Sequence, residues 1–538
     1  MRSWARIREL AAAAALAAVC SIHTPTARSQ QPSPPAPSPA APVAPAAPPA
    51  PQPASPTAAV GGSAPEPAPF EARAEFLARR IDAIVAARSA ELAGARIGIA
   101  VADVASDRIV YQRDPDGLYN IASNTKLVTA AAALALLGPD FRYYTALYGA
   151  APDRSGVVAG DLYIRGRGDP GLGTPELYQL VRELRQNRVK KVEGRLVIDV
   201  DYFDDRDLPP HFEEKPKDPA PYRAPIGATS LNFNAVSLSL RPAASGSGPC
   251  TVAVDPPNDY VVVEAKVDTV KRGRTRIRVE SEATPDRMRV IVRGQLRADD
   301  GVKTYRRRVD DPVRYLGAAL RAALADAGIA LGDDHIATGE VPRTATVLAW
   351  RVSEPLAVLV RGLGKYSNNY VAEMLLKTIG AETRADKTRP ASWNDGLGAV
   401  RRWLVDKVGW TADGFYYGNG SGLYASNRFS PREIVRLLSV GYRDFRWGPD
   451  LVGSLSIGGV DGTISRRMAN GPAAGLVRAK TGTLDGVSTL SGYVATDGRA
   501  PLAFSILVNG FTEASAEYAR LLQNDVCEAM IPFLESGR

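Results

Sequence analysis

The stretch YNIASNTKLVTAAAALALLG, from Tyr119 to Gly138, decides how the rest of the chain is interpreted. The residues from Leu127 to Leu137 are apolar on every side of a helix, which is typical of a helix buried in the centre of a domain. The run begins with a serine, Ser123, and a lysine, Lys126, three residues apart. Positions i and i+3 share a helix face, so the two side chains are predicted to lie within hydrogen-bonding reach.

This pair of side chains fits a particular chemistry. A serine hydroxyl becomes a good nucleophile only when a base takes its proton, and lysine acts as that base when burial and a nearby cation lower its pKa. Ser123 also lies near the helix start, where unpaired N–H groups favour developing negative charge. The alternative is that Ser123 only caps the helix and Lys126 extends along the surface, because Ser-x-x-Lys alone arises by chance.

The histidines argue against other hydrolase classes. The chain has 3 histidines, of which His23 lies in the presequence. His211, in LPPHFEEKP, and His335, in GDDHIA, lie in polar, loop-like surroundings without metal-ligand spacing. A Ser-His-Asp triad, a zinc hydrolase and any other metal site are therefore disfavoured, and a serine hydrolase here has to use lysine as its base.

Two further polar clusters suit such a site. KYSNNYVAEM places Ser367 and Asn369 in a tight loop between two helical runs, where a hydroxyl and an amide could relay a proton and orient a substrate amide. VRAKTGTLDG places Lys480, Thr481 and Gly482 on an edge-like strand. Lys480 offers charge for a carboxylate, and Gly482 would let a substrate backbone approach closely.

The order of patterns along the chain predicts an α+β fold. A helix is expected over residues 70–93, followed by a hairpin of IGIAVADV and RIVYQ. Three strand-like runs near the other end, GLVRAKTGTL, STLSGYVAT and PLAFSILVNG, precede a terminal helix from Glu513 to about Leu534. We expect both ends to build one antiparallel sheet flanked by helices, with a helical subdomain. Residues 70–145 and 347–538 would form this domain, and residues 146–346 a large, mostly β insertion.

The chain begins with segments typical of export. Residues 1–29 have arginines before a short apolar run, which predicts a signal peptide, cleaved rather than lipidated at Cys20, and an extracytoplasmic, periplasmic location. The apolar run is too short to span a bilayer. Residues 30–69 are rich in proline and alanine and suggest a tether, or alternatively disordered filler. Cys250 and Cys527 could pair in an oxidising compartment or remain separate thiols.

The charge of the chain identifies no polymer partner. The net charge is +8, from 66 basic and 58 acidic residues. The basic runs KRGRTRIRVE and TYRRR predict strand edges protected by charge, with binding to an anionic envelope polymer as the alternative. No motif supports nucleic-acid binding.

Ser123-Asn124-Thr125-Lys126, Ser367-Asn368-Asn369 and Lys480-Thr481-Gly482, in this order, resemble the three motifs of the penicillin-binding protein and serine β-lactamase superfamily. The long interval between the first two motifs narrows the resemblance to the low-molecular-mass class C penicillin-binding proteins, the D-alanyl-D-alanine carboxypeptidase/endopeptidase family (peptidase family S13). Supporting segments include LYIRGRGDPGL, GNGSGLYASNRFSP, DGTISRR and VRAKTGTLDGVSTLSGYV. The likeness covers about residues 75–530.

This resemblance implies a role for each motif. Ser123 would attack the carbonyl of the penultimate D-alanine of a peptidoglycan stem peptide and form an acyl-enzyme, with Lys126 as general base. Ser367 would protonate the leaving amine, and Asn369 would hold the peptide amide. Lys480 and Thr481 would bind the terminal carboxylate beside Gly482. The backbone N–H groups of Ser123 and Thr483 would form the oxyanion hole. The resemblance implies no cofactor, and β-lactam antibiotics as covalent inhibitors.

Other interpretations of the sequence stay open. GRGDPG, residues 166–171, nearly matches a dinucleotide fingerprint, but a structural turn is favoured because its helix does not open at the last glycine. GNGSGL is either a cleft lining or a glycine-rich turn. PELYQL lacks the asparagine expected beside a deacylating glutamate, which argues against efficient antibiotic hydrolysis. The competing functions are a β-lactamase and a non-catalytic peptidoglycan-binding scaffold. The balance of carboxypeptidase and endopeptidase activity is not predicted.

Overall fold

The computed structural model describes residues 69–214, 218–424 and 426–536. The predicted signal peptide, Cys20 and nearly all of the proline- and alanine-rich segment lie outside these residues. The α-helices are α1 (Phe70–Ala87), α2 (Thr125–Leu137), α3 (Thr174–Gln186), α4 (Pro312–Asp326), α5 (Leu356–Tyr366), α6 (Asn369–Thr383), α7 (Trp393–Trp403), α8 (Pro431–Arg443), α9 (Gly448–Ser454) and α10 (Ala516–Glu535).

The strands follow in chain order. The first group is β1 (Arg96–Asp103), β2 (Arg108–Arg113), β3 (Tyr144–Gly149), β4 (Val157–Val158), β5 (Leu162–Arg165), β6 (Lys191–Val192), β7 (Leu196–Asp199), β8 (Ala235–Arg241), β9 (Gly248–Pro249), β10 (Thr251–Asp255) and β11 (Val261–Val270). The second group is β12 (Arg276–Ala283), β13 (Met288–Arg297), β14 (Lys303–Arg308), β15 (Ala330–Leu331), β16 (Ile336–Thr338), β17 (Thr346–Val352), β18 (Ser456–Ile457), β19 (Val477–Leu484), β20 (Val487–Val494) and β21 (Leu502–Asn509).

Strands from both ends of the described chain build one six-stranded sheet in the order β18-β19-β20-β21-β1-β2. Its strand pairs are antiparallel, and β1 pairs with β21 from Arg96 opposite Asn509 to Asp103 opposite Leu502. Asp485 and Gly486 form the short turn between β19 and β20, where Gly486 has a φ of +66° that suits an Asp-Gly hairpin. The predicted hairpin is confirmed as β1 and β2, and the three predicted C-terminal strands are confirmed as β19, β20 and β21.

Helices cover both faces of this sheet. α1 and α10 pack on one face, in a core that contains Leu77, Val526 and Phe504. On the other face α2 and α8 join α5, α6 and α7 in a second core, to which β21 contributes Leu507. The predicted first helix ends at Ala87 instead of residue 93, because the chain turns from Arg88 to Gly94. None of the helices in the described ranges has the length and apolar character that a membrane crossing needs.

Residues 144–352 form four smaller sheets and a core of their own, so strands β3 and β17 extend past the predicted bounds of the insertion, 146–346. The sheet orders are β16-β7-β5-β3-β17, β15-β6-β4, β10-β8-β14 and β12-β13-β11-β9. The first basic run leads into the edge strand β12, and the second lies on the edge strand β14. Arg276, Arg278 and Arg306 are exposed on these strands, so the prediction of charged edges is confirmed. Cys250 borders this core, whereas Cys527 is buried against the six-stranded sheet, and both are free thiols.

Candidate active site

Ser123 and Lys126 lie at the junction of a short 3-10 turn, Ala122–Asn124, and helix α2. Ser123 is partly exposed, whereas Lys126 is only 1% exposed. Lys126 Nζ donates hydrogen bonds to Ser123 Oγ at 2.9 Å, to Asn369 Oδ1 at 2.7 Å and to the carbonyl oxygen of Ser421 at 2.6 Å. The structure therefore brings together the pair that the sequence predicts, with three oxygen acceptors around the amine.

The surroundings of Lys126 lower the pKa of its amine. Burial holds the pKa of Lys126 well below its usual value, and the positive charge of Lys480 lowers it further. The carboxylate of Glu373 acts in the opposite direction. An amine with a lowered pKa can be uncharged near neutral pH, and it can then accept the proton of the neighbouring hydroxyl.

Polar contacts from distant strands hold the turn that carries Ser123. Ala122 has a φ of 46°, a left-handed conformation that is uncommon for a residue with a side chain. Its N–H donates to Asn120 Oδ1 at 2.9 Å, and the Asn509 side chain accepts from Asn120 N–H and donates to Asn120 O. Thr489 Oγ1 donates to the carbonyl of Ile121 at 2.9 Å. The ends of β20 and β21 thus fix the backbone beside Ser123.

Ser367 and Asn369 lie where α5 ends and α6 begins. Ser367 has a φ of 57° and takes the left-handed conformation at the end of α5. Its Oγ accepts a hydrogen bond from Lys480 Nζ at 2.7 Å. Asn369 is the first residue of α6, and its amide group donates to the carbonyl of Tyr222 at 3.2 Å while its oxygen accepts from Lys126. The tight loop between two helices is therefore observed, and its side chains connect both lysines.

Strand β19 carries the remaining predicted residues of the site. Lys480 is 1% exposed, and burial lowers its pKa to about 7. Thr481 Oγ1 hydrogen-bonds to Thr463 Oγ1 at 2.9 Å. β18 pairs only with Arg478 and Ala479, so among the described strands no partner covers that side of β19 from Lys480 onward. An open strand edge can add an extended peptide by main-chain hydrogen bonds.

The structure gives a reason for the glycine at position 482 that the sequence did not suggest. A Cβ atom at this position would lie 2.4 Å from the carbonyl oxygen of Ile121, 2.3 Å from Thr489 Oγ1 and 3.1 Å from the N atom of Asn124. The missing side chain therefore makes room for the turn that carries Ser123, on the protein side of β19. The predicted reason, close approach of a substrate backbone, is not needed to explain this glycine.

Sequence reasoning missed two groups beside the lysine. The carbonyl of Ser421 contacts Lys126, and Glu373 accepts the N–H groups of Gly420 and Ser421. Ser421 belongs to GNGSGL, so this segment contacts the site and is more than a glycine-rich turn. Glu373 follows Asn369 by four residues in an otherwise buried part of α6, and an acidic residue in such a helix was the available signal.

Other candidate residues lie elsewhere in the fold. In GRGDPG, Asp169 is buried and forms an ion pair with Arg351 at 2.5 Å, which suits a structural turn. Glu176 of PELYQL caps α3 by accepting the N–H of Gly173 at 3.0 Å. His211 lies near Glu214, with 3.9 Å between Nδ1 and the carboxylate. The described residues contain no group of three or more potential metal ligands.

Comparisons with known proteins identify relatives of this chain. A model of the D-Ala-D-Ala carboxypeptidase 3 (S13) family matches residues 77–530. A D-alanyl-D-alanine carboxypeptidase from Actinomadura sp. (strain R39) is 35% identical over 454 residues, which cover 82% of each chain. The D-alanyl-D-alanine carboxypeptidase DacB of Haemophilus influenzae is 26% identical over 430 residues, covering 79% of this chain and 87% of that protein. The crystal structure of penicillin binding protein 4 (dacB) from Haemophilus influenzae has a TM-score of 0.67 and 25% identity, covering 82% of this chain and 97% of the other.

Proposed function

The chain belongs to the D-Ala-D-Ala carboxypeptidase 3 (S13) family, and from this premise we propose how its residues perform a serine DD-peptidase reaction. It is an α+β protein with the penicillin-binding protein fold. The activity of the family is cleavage at a D-Ala-D-Ala terminus, and the substrate proposed for this chain is a peptidoglycan stem peptide. The observation that carries the proposal is the contact of 2.9 Å between Lys126 Nζ and Ser123 Oγ, made by a buried amine.

In the acylation step Ser123 Oγ attacks the carbonyl carbon of the penultimate D-alanine while uncharged Lys126 takes the hydroxyl proton. A tetrahedral intermediate forms, and its oxyanion accepts hydrogen bonds from the backbone N–H groups of Ser123 and Thr483. Each such donor typically contributes a few kcal/mol to the stability of the transition state. Lys126 keeps its orientation through the carbonyl of Ser421 and the side-chain oxygen of Asn369.

The leaving amine receives its proton through Ser367. Lys480 Nζ contacts Ser367 Oγ at 2.7 Å, so this hydroxyl can give its proton to the departing nitrogen and regain one from Lys480. Lys480 then takes up the proton that Lys126 accepted from Ser123, which leaves Lys126 uncharged for the next step. The carbon–nitrogen bond then breaks, D-alanine or a cross-linked peptide departs, and Ser123 carries the acyl group. Water hydrolyses this ester, with Lys126 as the base that activates it. The residues named supply every proton transfer, and the proposal includes no cofactor or metal.

Strand β19 and its neighbours bind the substrate. The charged form of Lys480 and the hydroxyl of Thr481 bind the terminal carboxylate, and the open edge beyond Ala479 accepts the peptide backbone as an added strand. Gly482 contributes its backbone to this edge, and Asn369 orients the amide of the residue before the scissile bond. A β-lactam presents a similar amide and carboxylate, so it should acylate Ser123 and block the enzyme.

The alternative functions fit the site less well. A non-catalytic scaffold does not need two buried lysines that contact two serines, because burying such amines costs stability. A β-lactamase of the kind that uses a glutamate for deacylation needs a free glutamate beside the nucleophile. Glu176 caps α3 instead, and both oxygens of Glu373 accept backbone N–H groups.

We also propose a domain plan and a location. Residues 70–145 and 347–538 form the catalytic domain, and residues 146–346 form the insertion. The support is that the six-stranded sheet is built only from strands of the first two segments. The enzyme works outside the cytoplasm, after export by residues 1–29, with residues 30–69 as a tether.

Labelling with a fluorescent penicillin, followed by digestion of cross-linked muropeptides, tests the proposal. We expect covalent labelling of the full-length protein, its loss in Ser123→Ala and its retention in the control Ser89→Ala, which changes an exposed serine. Mass analysis should detect release of D-alanine, of cleaved cross-links, or of both. Absence of labelling and of cleavage by the folded protein would refute the function. Rapid nitrocefin turnover without D-alanine release would favour the β-lactamase.

A further inference from the structure

Glu373 is a buried carboxylate close enough to Lys126 to act on its charge. It lies on α6 and is only 2% exposed. One carboxylate oxygen accepts the N–H of Ser421 at 2.8 Å, and the other accepts the N–H of Gly420 at 3.1 Å. Both oxygens are therefore used to hold two successive backbone N–H groups of one loop. Burial of a carboxylate costs free energy that hydrogen bonds only partly offset. The presence of Glu373 at this buried position therefore needs an explanation.

The loop that Glu373 holds is the loop that orients Lys126. The N–H of Ser421 bonds to Glu373, and the carbonyl of the same residue accepts the hydrogen bond from Lys126 Nζ at 2.6 Å. The next residue, Gly422, has a φ of +74°, and a Cβ there would lie 1.8 Å from the carbonyl oxygen of Ala122. The loop thus passes against the turn that carries Ser123, and a shift of the loop would displace both members of the pair.

Glu373 and Lys126 also interact through their charges. Burial raises the pKa of Glu373, while its N–H donors and the nearby Lys126 counteract that rise. In the other direction, the negative charge of Glu373 raises the pKa of Lys126, against burial and the charge of Lys480. The other ionisable groups that face this region are Tyr417, whose hydroxyl bonds to Thr129 of α2, and four groups that line a small cavity with Glu373, namely Tyr222, Arg223, Tyr370 and Tyr424.

We propose that Glu373 is a positioning residue for the DD-peptidase reaction. Its carboxylate holds the Gly420–Ser421 backbone so that Lys126 Nζ stays on Ser123 Oγ. It also supplies the counter-charge for the ammonium group that forms when Lys126 takes the proton of Ser123. The inference rests on the proposed function, because it assigns Glu373 a part in activating the proposed base. Glu373 acts through Lys126 and the loop, and it does not contact the substrate's reacting atoms.

Glu373→Gln in the full-length protein provides the test. Glutamine keeps the shape, but it removes the charge and turns an NH2 group toward one of the two backbone N–H donors. We expect the maximal kcat/KM for D-alanine release to fall by about 10²-fold, the size typical of a misplaced catalytic group. Without the carboxylate the pKa of Lys126 falls further, so the acidic limb of the pH profile should move to lower pH.

Two further variants separate positioning from stability. Glu373→Asp keeps the charge with a shorter reach, so its acidic limb should stay at the wild-type pH while its maximal rate is reduced. Glu433→Gln is the matched control, because Glu433 is a partly buried glutamate that accepts the backbone N–H of Ser430 at the start of α8. The control should lower thermal stability without moving the limb.

Each result decides for or against the inference. The inference is supported if the acidic limb of the pH profile moves to lower pH in Glu373→Gln and stays at the wild-type pH in Glu433→Gln. A wild-type pH profile in Glu373→Gln, or a rate loss that only follows lost thermal stability, overturns it. If Glu373→Gln does not fold, Glu373→Asp decides, since a wild-type rate in that variant would overturn the positioning role. Wild-type protein in the same assay tests the proposed function separately: if it neither binds penicillin nor releases D-alanine, that function fails first.

Discussion

Two buried lysines, rather than a histidine, carry the proposed acid–base chemistry. Lys126 contacts Ser123, and Lys480 contacts Ser367, so each of the two serines has its own amine. Burial is the main cause of the lowered pKa of both lysines. Their ionisations should therefore shape the two limbs of the pH profile, with Lys126 uncharged and Lys480 charged in the active form.

The alkaline limb of kcat/KM provides a prediction for Lys480. The pKa of Lys480 is about 7, so the free enzyme loses this positive charge as the pH rises above 7. Attraction for the substrate carboxylate then weakens, and kcat/KM should fall about tenfold per pH unit. Arginine stays charged throughout this range. Lys480→Arg should have a lower maximum but no alkaline limb between pH 7 and 10, as measured by D-alanine release. An alkaline limb that is the same in both proteins would contradict this assignment.

The Ser123 and Lys126 pair was predictable because its members are close in sequence and lie at the start of a strongly apolar helix. The same reasoning placed Ser367, Asn369, Lys480 and Thr481 in suitable loops and strands. Glu373 and the carbonyl of Ser421 were not predictable as partners of Lys126. A backbone carbonyl has no sequence signature, and the contact joins residues 126 and 421 across an intervening β insertion.

Among the secondary-structure elements, the packing of strand β19 against the turn Ala122–Asn124 has the most direct link to activity. A Cβ at Gly482 would meet the carbonyl of Ile121 and the hydroxyl of Thr489. Because two of the three nearest atoms belong to the backbone of the turn, the side chain cannot be accommodated by a simple rotamer change. Either β19 or the turn with Ser123 must move.

Gly482→Ala tests this packing. We expect overpacking to destabilise the fold by about 1 to 3 kcal/mol and to lower acylation by penicillin by about 10²-fold, because Ser123 moves relative to Lys126. The matched control is Gly453→Ala in α9, where no atom lies within 4 Å of the added Cβ. That change should leave labelling intact and stability equal or higher. Rapid labelling of Gly482→Ala would show that the turn does not depend on the glycine.

Helices and strands with a clear hydrophobic period were predicted well. The residues at which they end and the strands with which they pair were not. The apolar run from Leu127 is the buried α2, but Ser123 lies in the 3-10 turn before it rather than within the α-helix. In the insertion the short strands were visible, whereas the pairing of β5 with β7 in parallel was not. Parallel pairing is set by a crossover and by packing of helices, which local patterns do not encode.

At the level of the whole molecule, both ends of the described chain are required for one site. β1 pairs with β21, and the Asn509 side chain at the end of β21 holds Asn120 just before the turn Ala122–Asn124. The prediction that the two ends share a sheet followed from matching helix and strand patterns. The hydrogen bonds between Asn120 and Asn509 could not be predicted, because they join residues that only the completed sheet brings together.

Folding such a site has an energetic cost that should depend on pH. In the unfolded chain the pKa of Lys480 is close to 10.5, and in the folded protein it is about 7. Between these values the unfolded chain binds more protons, so the free energy of unfolding should increase with pH, by about 1.4 kcal/mol per unit for one group. Below pH 7 both states bind the proton, and the contribution of Lys480 becomes constant. The lowered pKa of Lys126 acts in the same direction.

Lys480→Met removes this pH dependence and provides the test. Urea unfolding of the wild-type protein and the variant at pH 7 and pH 9 should give a difference in free energy that moves by about 2 to 3 kcal/mol in favour of the wild type at the higher pH. The control Lys190→Met changes an exposed lysine, so its difference from the wild type should be the same at both pH values. Parallel behaviour of Lys480→Met and Lys190→Met would mean that Lys480 stays charged in the folded protein above pH 7, and the assignment of the alkaline limb of kcat/KM to Lys480 would have to be abandoned.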